Sequence, residues 1–185
     1  MTRYQNTLTA ISKSTLALAL FAGSSLTAFA GESPSTVVEL FTSQGCSSCP
    51  PANAFVREIA ASDGSVLTLS YSVEYWDYLG WKDTLGNPAF SKRQRDYGQH
   101  FQGQVYTPQM VLNGAAHSAR LQSADVKRHR LGTGKPELSL RETPTGAFVI
   151  TISGKAKDPV LSAVTFSPGT HSVDVKAGEN RGRAI

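Results

Sequence analysis

The sequence predicts an α/β fold in which a central mixed sheet is flanked by helices and followed by a small all-β module. Two strand-like runs enclose a helix-like segment between residues 36 and 73, and this order is typical of a parallel β-α-β unit. An Asn-Gly pair at residues 113–114 then indicates an antiparallel hairpin, so the sheet contains both strand directions. The chain has 185 residues, 40% hydrophobic and 17% charged, which is an ordinary globular composition.

The first 30 residues have the pattern of a cleaved signal peptide. A polar start carries Arg3 and Lys13, an apolar stretch runs from Leu16 to Leu26, and small residues precede a predicted cleavage after Ala30. The alternative is a membrane anchor, but the apolar stretch is well short of the roughly 20 residues that span a bilayer. We therefore expect an exported protein, periplasmic or secreted, that does not insert into a membrane after cleavage.

The charge balance gives no indication of a nucleic-acid or anionic-lipid partner. Of the 18 basic residues, Arg3 and Lys13 lie in the leader, which leaves 16 against 14 acidic residues and a net charge of +2. This bias is too weak to indicate binding to nucleic acid or to anionic lipid.

Three consecutive segments predict the β-α-β unit. Thr36–Thr42 is a β-branched and aromatic run, as expected for a strand. Ala52–Ala61 carries apolar residues at helical spacing, and Asp63-Gly64 ends this helix. Ser65–Val73 then reads as a second strand, parallel to the first.

An insertion rich in aromatic and charged residues, residues 74–104, separates this unit from the hairpin. Within it, Asn87-Pro88 precedes a predicted helix over Phe90–His100. Long insertions between core elements often carry function, so its side chains are candidates for a binding surface.

The hairpin and one more helix complete the first predicted domain, residues 34–133. Val105–Leu112 is predicted as a strand and Ala116–Ala119 as its return strand. Ser123 is a suitable cap for a short helix that runs to about Leu131.

Residues 136–185 are predicted as a small β module. Its strand-like segments, separated by Gly and Pro turns, are Glu137–Arg141, Phe148–Ser153, Val160–Phe166 and His171–Lys176. The sequence stops at Ile185 as a further segment begins, which predicts a truncated C-terminus because a small sheet needs partners for its edge.

Cys46 and Cys49 are the two cysteines of the chain, and they lie at the predicted start of a helix. In an oxidising compartment they pair with each other, with a partner protein or with a metal. Exchange needs one thiolate to attack a disulfide and a second thiol to resolve the intermediate. Since a helix N-terminus favours a thiolate, we expect Cys46 to be the exposed nucleophile and Cys49 the more buried resolving thiol.

Two sets of runs carry a resemblance to known families. The first resemblance is to the thioredoxin and glutaredoxin superfamily, and the glutaredoxin spacing is the closer fit. It is carried by Val38–Thr42, Cys46–Cys49, Thr107–Val111 and Asn113-Gly114. A narrower resemblance, to an exported bacterial family of thioredoxin-like proteins of unknown function, is carried by Phe41–Ala52, Tyr75–Asp83, Arg93-Gln94, Tyr106–Gln109 and Gly178–Gly182. It implies a thioredoxin-like fold, and exchange chemistry by superfamily analogy.

The sequence departs from the narrower family at two places. Ser72 stands where the family is expected to have a histidine, which removes an acid–base group from that position. Family members also continue past the segment that corresponds to Gly178–Gly182, which again predicts a truncated chain.

The resemblance implies a cis peptide bond at Pro108, beside the cysteine pair. Thr107-Pro108 begins a strand and precedes the hairpin, where such a proline is expected; a trans proline at a strand edge is the alternative. We therefore predict that Cys46, Cys49 and Pro108 form the catalytic site. Thr107 and Gln109 are predicted to dock an extended thiol substrate.

Aromatic residues of the insertion have two open interpretations. One interpretation is an aromatic surface that binds a peptide or small thiol, and the other is a cluster that packs over the edge of the core. The residues are Tyr75, Trp76, Tyr78 and Trp81. The sequence does not decide between the two interpretations.

Three cations and one acid are weaker candidates. One interpretation of Lys92, Arg93 and Arg95 is a site for the carboxylate of a ligand such as glutathione, and the other is a solvated helix face. Glu39 lies seven residues before Cys46, so strand alternation gives it a solvated or loop-pairing role rather than a catalytic one.

These observations predict an exported thiol–disulfide oxidoreductase that needs no bound cofactor. Its partner is expected to be a thiol- or disulfide-containing protein or a small thiol. Two alternatives stay open. Copper(I) needs only the two sulfurs, whereas zinc wants about four ligands and the histidines have no suitable spacing. The second alternative is a binding module with an inert structural disulfide.

Overall fold

The computed structural model describes residues 33–132, 136–155 and 161–185. The predicted signal peptide, residues 1–30, lies outside these ranges. Within them, no helix has the length and apolar character needed to cross a membrane.

The protein has a four-stranded mixed sheet flanked by helices and a separate two-stranded antiparallel sheet. The elements in chain order are β1 Thr36–Thr42, α1 Pro50–Ser62, β2 Val66–Ser72, α2 Pro88–His100, β3 Gln109–Leu112, β4 Ala116–Ser118, α3 Ser123–Arg128, β5 Glu137–Glu142 and β6 Phe148–Ser153. A 3₁₀ turn, Asp77–Leu79, lies between β2 and α2. The mixed α/β class predicted from the sequence is therefore confirmed.

The order of the large sheet is β2-β1-β3-β4. β1 runs parallel to β2, with Thr36 opposite Val66, and antiparallel to β3, with Val38 opposite Leu112. β3 and β4 form the hairpin that Asn113-Gly114 predicts, and both turn residues have positive φ, as a type I′ turn requires.

The two faces of β1 pack against different helices. On one face, Val38 and Leu40 join Val56 and Ile59 of α1 and Val126 of α3 in one apolar cluster. The opposite face contributes Phe41 to an aromatic cluster with side chains of β2 and α2. Because both faces of β1 are covered, its residues are almost all buried, which explains the continuous apolar run in the sequence.

Three local predictions need correction. Strand β3 begins at Gln109 rather than Val105, because residues 105–108 form the loop with the cis peptide bond. Helix α3 is capped by Gln122 rather than Ser123, because the Asp125 carboxylate accepts a hydrogen bond from the Gln122 backbone N–H at 2.8 Å. It ends at Arg128 instead of Leu131, because the Leu131 N–H donates to the carbonyl oxygen of Ser35 at 2.6 Å.

The predicted β module is smaller than expected. β5 and β6 pair over their whole length, but every residue of both strands is exposed, so this ribbon offers no buried face for further strands. Residues 161–166 form no strand, and residues 171–176 contribute only a bridge between Asp174 and Ala184.

The last segment, residues 173–185, folds back as a turn of its own. Val173 and Ile185 exchange backbone hydrogen bonds, and Val175 is 1% exposed. Gly178 lies so close to the loop after the 3₁₀ turn that a Cβ at this position would stand 3.2 Å from the Cβ of Trp81. Residues 173–185 therefore contact the first predicted domain, although the predicted boundary at residue 136 places them in the separate module.

Candidate functional site

The turn before α1 places both cysteines at the start of this helix. The Cys46 N–H donates to the carbonyl of Ser43, and the Cys49 N–H donates to the carbonyl of Cys46. Cys49 is the N-cap residue, and Pro50 and Pro51 occupy the first helical positions, where a missing N–H costs no intrahelical bond.

Cys46 and Cys49 form a disulfide with an S–S distance of 2.12 Å and a Cα–Cα distance of 5.4 Å. Cys46 is 4% exposed and Cys49 is fully buried, so the predicted order of exposure holds. The expectation that Cys46 is exposed to solvent is wrong, however. Three other parts of the chain contact its turn, namely the loop that carries Thr107, the loop that carries Asp83 and the segment that carries Asn180.

The loop that carries Pro108 meets the cysteine turn through Ser48. The Ser48 hydroxyl donates to the carbonyl oxygen of Thr107 at 3.4 Å and lies 3.4 Å from the sulfur of Cys46. The Thr107–Pro108 peptide bond is cis, as expected, and Pro108 is buried. The structure therefore brings Cys46, Cys49, Thr107 and Pro108 together.

Two of the predicted aromatic residues border this site. The Trp76 indole N–H donates to the Thr107 hydroxyl at 2.7 Å, and the Trp76 ring stacks on Tyr78, which is 75% exposed. The Trp81 indole N–H donates to the side-chain carbonyl of Gln44 at 2.8 Å. Trp76 is thus bonded to the Thr107 loop and Trp81 to the turn before Cys46, and Trp76 and Tyr78 form an aromatic surface next to Thr107.

Tyr75 and Gln109 take part in a buried polar network instead. The Tyr75 hydroxyl donates to Gln94 at 3.0 Å, and burial raises the pKa of this phenol. The amide nitrogen of Gln94 donates to the carbonyl of Tyr106 at 2.7 Å and to the side chain of Gln109 at 2.8 Å. The predicted role of Gln109 in substrate docking is corrected, because its side chain is completely buried and already satisfied in this network.

Glu39 is buried, contrary to the expected solvated position. Its carboxylate accepts hydrogen bonds from Arg93 at 2.6 and 2.8 Å and from the Tyr97 hydroxyl at 2.7 Å. The bond to Glu39 raises the pKa of Arg93, and burial followed by the bond to Glu39 raises the pKa of Tyr97. Arg93 therefore holds a carboxylate of the protein itself, whereas Lys92 and Arg95 lie exposed on α2.

Sequence reasoning missed the groups that enclose the cysteine turn. Asp83 is 4% exposed and accepts a hydrogen bond from the backbone N–H of Gln44 at 2.7 Å. Asn180 is fully buried, and its amide nitrogen donates to the carbonyls of Gln44 at 2.9 Å and of Cys46 at 2.8 Å. Both residues lie in runs that carry the narrower family resemblance, and this membership is the one sequence feature that could have pointed to them.

Among the described residues, no cluster of three or more histidine, cysteine, aspartate or glutamate side chains has a geometry that suits a metal ion. Within the same ranges, the sulfurs of Cys46 and Cys49 are bonded to each other.

The fold and the site define a mixed α/β protein with a Cys-x-x-Cys disulfide at the start of a helix. The chain belongs to the family described as protein of unknown function (DUF1223), whose profile matches residues 37–185. A comparison with curated proteins found no match.

Among solved structures, the chain is similar to the crystal structure of protein AGR_C_4864 from Agrobacterium tumefaciens. The two are 46% identical over 54% of this chain and 44% of that chain, with a TM-score of 0.45. The match thus spans less than half the length of that protein.

Proposed function

We propose that this protein is an exported thiol–disulfide oxidoreductase with a thioredoxin-like domain. The observation that carries the proposal is the position of the Cys46–Cys49 disulfide, at the start of α1 and linked through Ser48 to the Thr107–Pro108 loop. A reactive pair needs a helix N-terminus for the attacking sulfur and a neighbouring loop for the substrate. Both features adjoin this pair.

The proposed reaction exchanges two electrons and two protons. In the reducing direction, the thiolate of Cys46 attacks one sulfur of a substrate disulfide, and the other substrate sulfur leaves as a thiolate that takes up a proton. The thiolate of Cys49 then attacks Cys46, which releases the second substrate thiol and leaves the protein oxidised. The oxidising direction is the reverse of these steps.

Burial supports this division of roles. Cys46 is the more accessible of the two cysteines, and Cys49 is fully buried. An incoming disulfide therefore reaches Cys46 first, once the surrounding loops admit it.

We propose that the substrate docks against Thr107 and the aromatic surface of Trp76 and Tyr78. The carbonyl of Thr107 accepts only a long bond from Ser48, so an extended peptide can compete for it. Trp76 and Tyr78 supply apolar area beside this acceptor. The substrate class is a thiol- or disulfide-containing protein or a small thiol.

Equilibration of the mature chain in graded glutathione buffers tests the proposal, with alkylation of free thiols and detection by mass. We expect a reversible transition of both cysteines, and we expect Cys46→Ser to abolish it. A potential above about −230 mV indicates an oxidant or isomerase, and one near −270 mV indicates a reductant. A pair that stays oxidised in every buffer overturns the proposal.

The second candidate is an inert structural disulfide, which the burial of both sulfurs favours. It predicts that the unfolded chain is reduced readily while the folded chain is not. The same titration, repeated in denaturant, separates the two candidates. Reduction only in denaturant supports the structural role, and reduction in both conditions supports exchange.

A further inference from the structure

The C-terminal segment places a buried amide against the backbone of the cysteine turn. Asn180 is 134 residues from Cys46 in sequence, yet its Nδ2 lies 2.8 Å from the Cys46 carbonyl oxygen. The same nitrogen lies 2.9 Å from the carbonyl oxygen of Gln44. One amide therefore satisfies two carbonyl groups of the turn that ends at the attacking sulfur.

Arg183 determines which way this amide faces. Its guanidinium donates to the Oδ1 atom of Asn180 at 3.0 Å. Since a guanidinium has no acceptor, the atom that it meets must be the oxygen, which leaves the NH₂ group for the two carbonyls. A charged donor on the oxygen also polarises the amide and strengthens the bonds that its NH₂ group makes.

The start of α1 makes this support important. Pro50 and Pro51 have no N–H groups, so the helix presents fewer donors near Cys46 than a helix without prolines would. The partly negative oxygen of a backbone carbonyl raises the energy of a nearby thiolate if no hydrogen-bond donor binds to that oxygen. A donor on these carbonyls acts in the opposite sense.

We propose that Asn180 is a positioning residue, which holds the turn from Gln44 to Cys46 and thereby favours the thiolate of Cys46. This inference rests on the proposed exchange function. It adds the residue that tunes the attacking sulfur and assigns that role to the C-terminal segment. Gly178 allows the segment to approach, because a side chain there would meet Leu79 and Trp81.

The test measures the thiol pKa of Cys46 in the mature chain with Cys49→Ser, where a single thiol remains. The rate of alkylation by iodoacetamide is followed as a function of pH. We expect Asn180→Ala to raise the pKa of Cys46 by about one unit, since the Gln44 carbonyl loses the Asn180 donor and the Cys46 carbonyl keeps only the Cys49 N–H. The alkylation rate at neutral pH should then fall by up to about tenfold, in proportion to the thiolate fraction.

Asn113→Ala is the matched control. Asn113 also bridges distant segments, because its side-chain oxygen accepts from the Val37 N–H at 2.7 Å and its amide donates to His129. Both variants should unfold at lower temperature, but only Asn180→Ala should move the pKa of Cys46. Equal shifts in the two variants, or no shift in either, overturn the proposal.

Arg183→Gln provides a second variant if Asn180→Ala does not fold. It keeps the two bonds from Asn180 but removes the charge that polarises the amide, so a smaller rise in the pKa of Cys46 is expected. An unchanged pKa in Arg183→Gln then counts against the proposal.

Failure of this inference and failure of the proposed function are distinguishable. If the wild-type pair is reduced and oxidised reversibly in glutathione buffers but Asn180→Ala leaves the pKa of Cys46 unchanged, only the positioning role is contradicted. If the pKa responds to Asn180 but the wild-type pair never cycles, the positioning role stands and the exchange function falls.

Discussion

The carboxylate of Glu39 lies 2.6 Å from the guanidinium of Arg93, and this ion pair joins strand β1 to helix α2. The Arg93 guanidinium also lies over the rings of Tyr71 and Tyr97, with distances of 5.5 and 5.3 Å to their centroids. The pair therefore fixes the insertion that carries α2 to the inner part of the sheet. Through Gln94, the next residue of α2, it also fixes the loop before Pro108.

Glu39→Gln should destabilise the fold by about 2–3 kcal/mol, because it leaves a partly buried Arg93 without its counter-charge. Urea unfolding at neutral pH measures the effect. Glu58→Gln, on an exposed position of α1, is the control and should change the free energy of unfolding by less than about 0.5 kcal/mol. Equal effects of the two substitutions would contradict a stabilising role for the buried pair.

Alkaline pH should destabilise the protein through its buried phenols. Burial raises the pKa of Tyr71, Tyr75 and Tyr97 above the usual 10.0. Above about pH 10, the unfolded chain therefore loses phenolic protons that the folded chain retains. The stabilisation from these groups is complete below pH 10 and is lost as the pH rises through the folded-state pKa values.

The free energy of unfolding should thus fall with rising pH above 10, and Tyr97→Phe should reduce the slope. Chemical unfolding at a series of alkaline pH values checks this. Tyr78→Phe, at a ring that is 75% exposed, should leave the slope of the wild type unchanged. A slope that Tyr97→Phe does not alter would count against this origin of the pH dependence.

Gln94→Leu should cost about 3 kcal/mol of stability, because it removes one acceptor and two donor contacts in a buried network. Gln99→Leu, on an exposed position of the same helix, serves as the control. Thermal unfolding of both variants tests the prediction. The idea fails if the two melt at the same temperature.

Thr107→Val should weaken substrate docking without changing the thiol of Cys46. It removes the acceptor of the Trp76 indole N–H, so the aromatic surface loses its fixed position beside Thr107. With a peptide disulfide as substrate, we expect kcat/KM to fall about five- to tenfold, the loss of about one hydrogen bond.

Tryptophan fluorescence gives a readout of Thr107→Val that does not depend on activity, since Trp76 and Trp81 are the two tryptophans. Thr151→Val, in the exposed strand β6, is the matched control. A drop in kcat/KM together with a shift in the pKa of Cys46 would mean that Thr107 acts on the thiol rather than on docking.

Local sequence patterns were sufficient for much of the fold. The β-branched run predicted β1 with its observed ends, and Asn113-Gly114 predicted the hairpin, because both signals depend on neighbours within a few residues. The same holds for the helix after Asn87, whose side chain accepts a hydrogen bond from the Ala89 N–H. The C-terminal strands were overpredicted, because a strand pattern forms a sheet only where a partner and a buried face exist.

The sequence by itself determined that two cysteines lie one helical turn apart at the start of a helix, since their spacing and the flanking elements are local. Only the tertiary structure decided what surrounds them. Asn180 reaches the Cys46 carbonyl from 134 residues away, and Glu39 is buried because Arg93, 54 residues on, supplies its counter-charge. The side chain of Gln109 can likewise be buried because Gln94, on helix α2, donates a hydrogen bond to it. Burial and pairing depend on contacts between distant segments, and no local pattern encodes them.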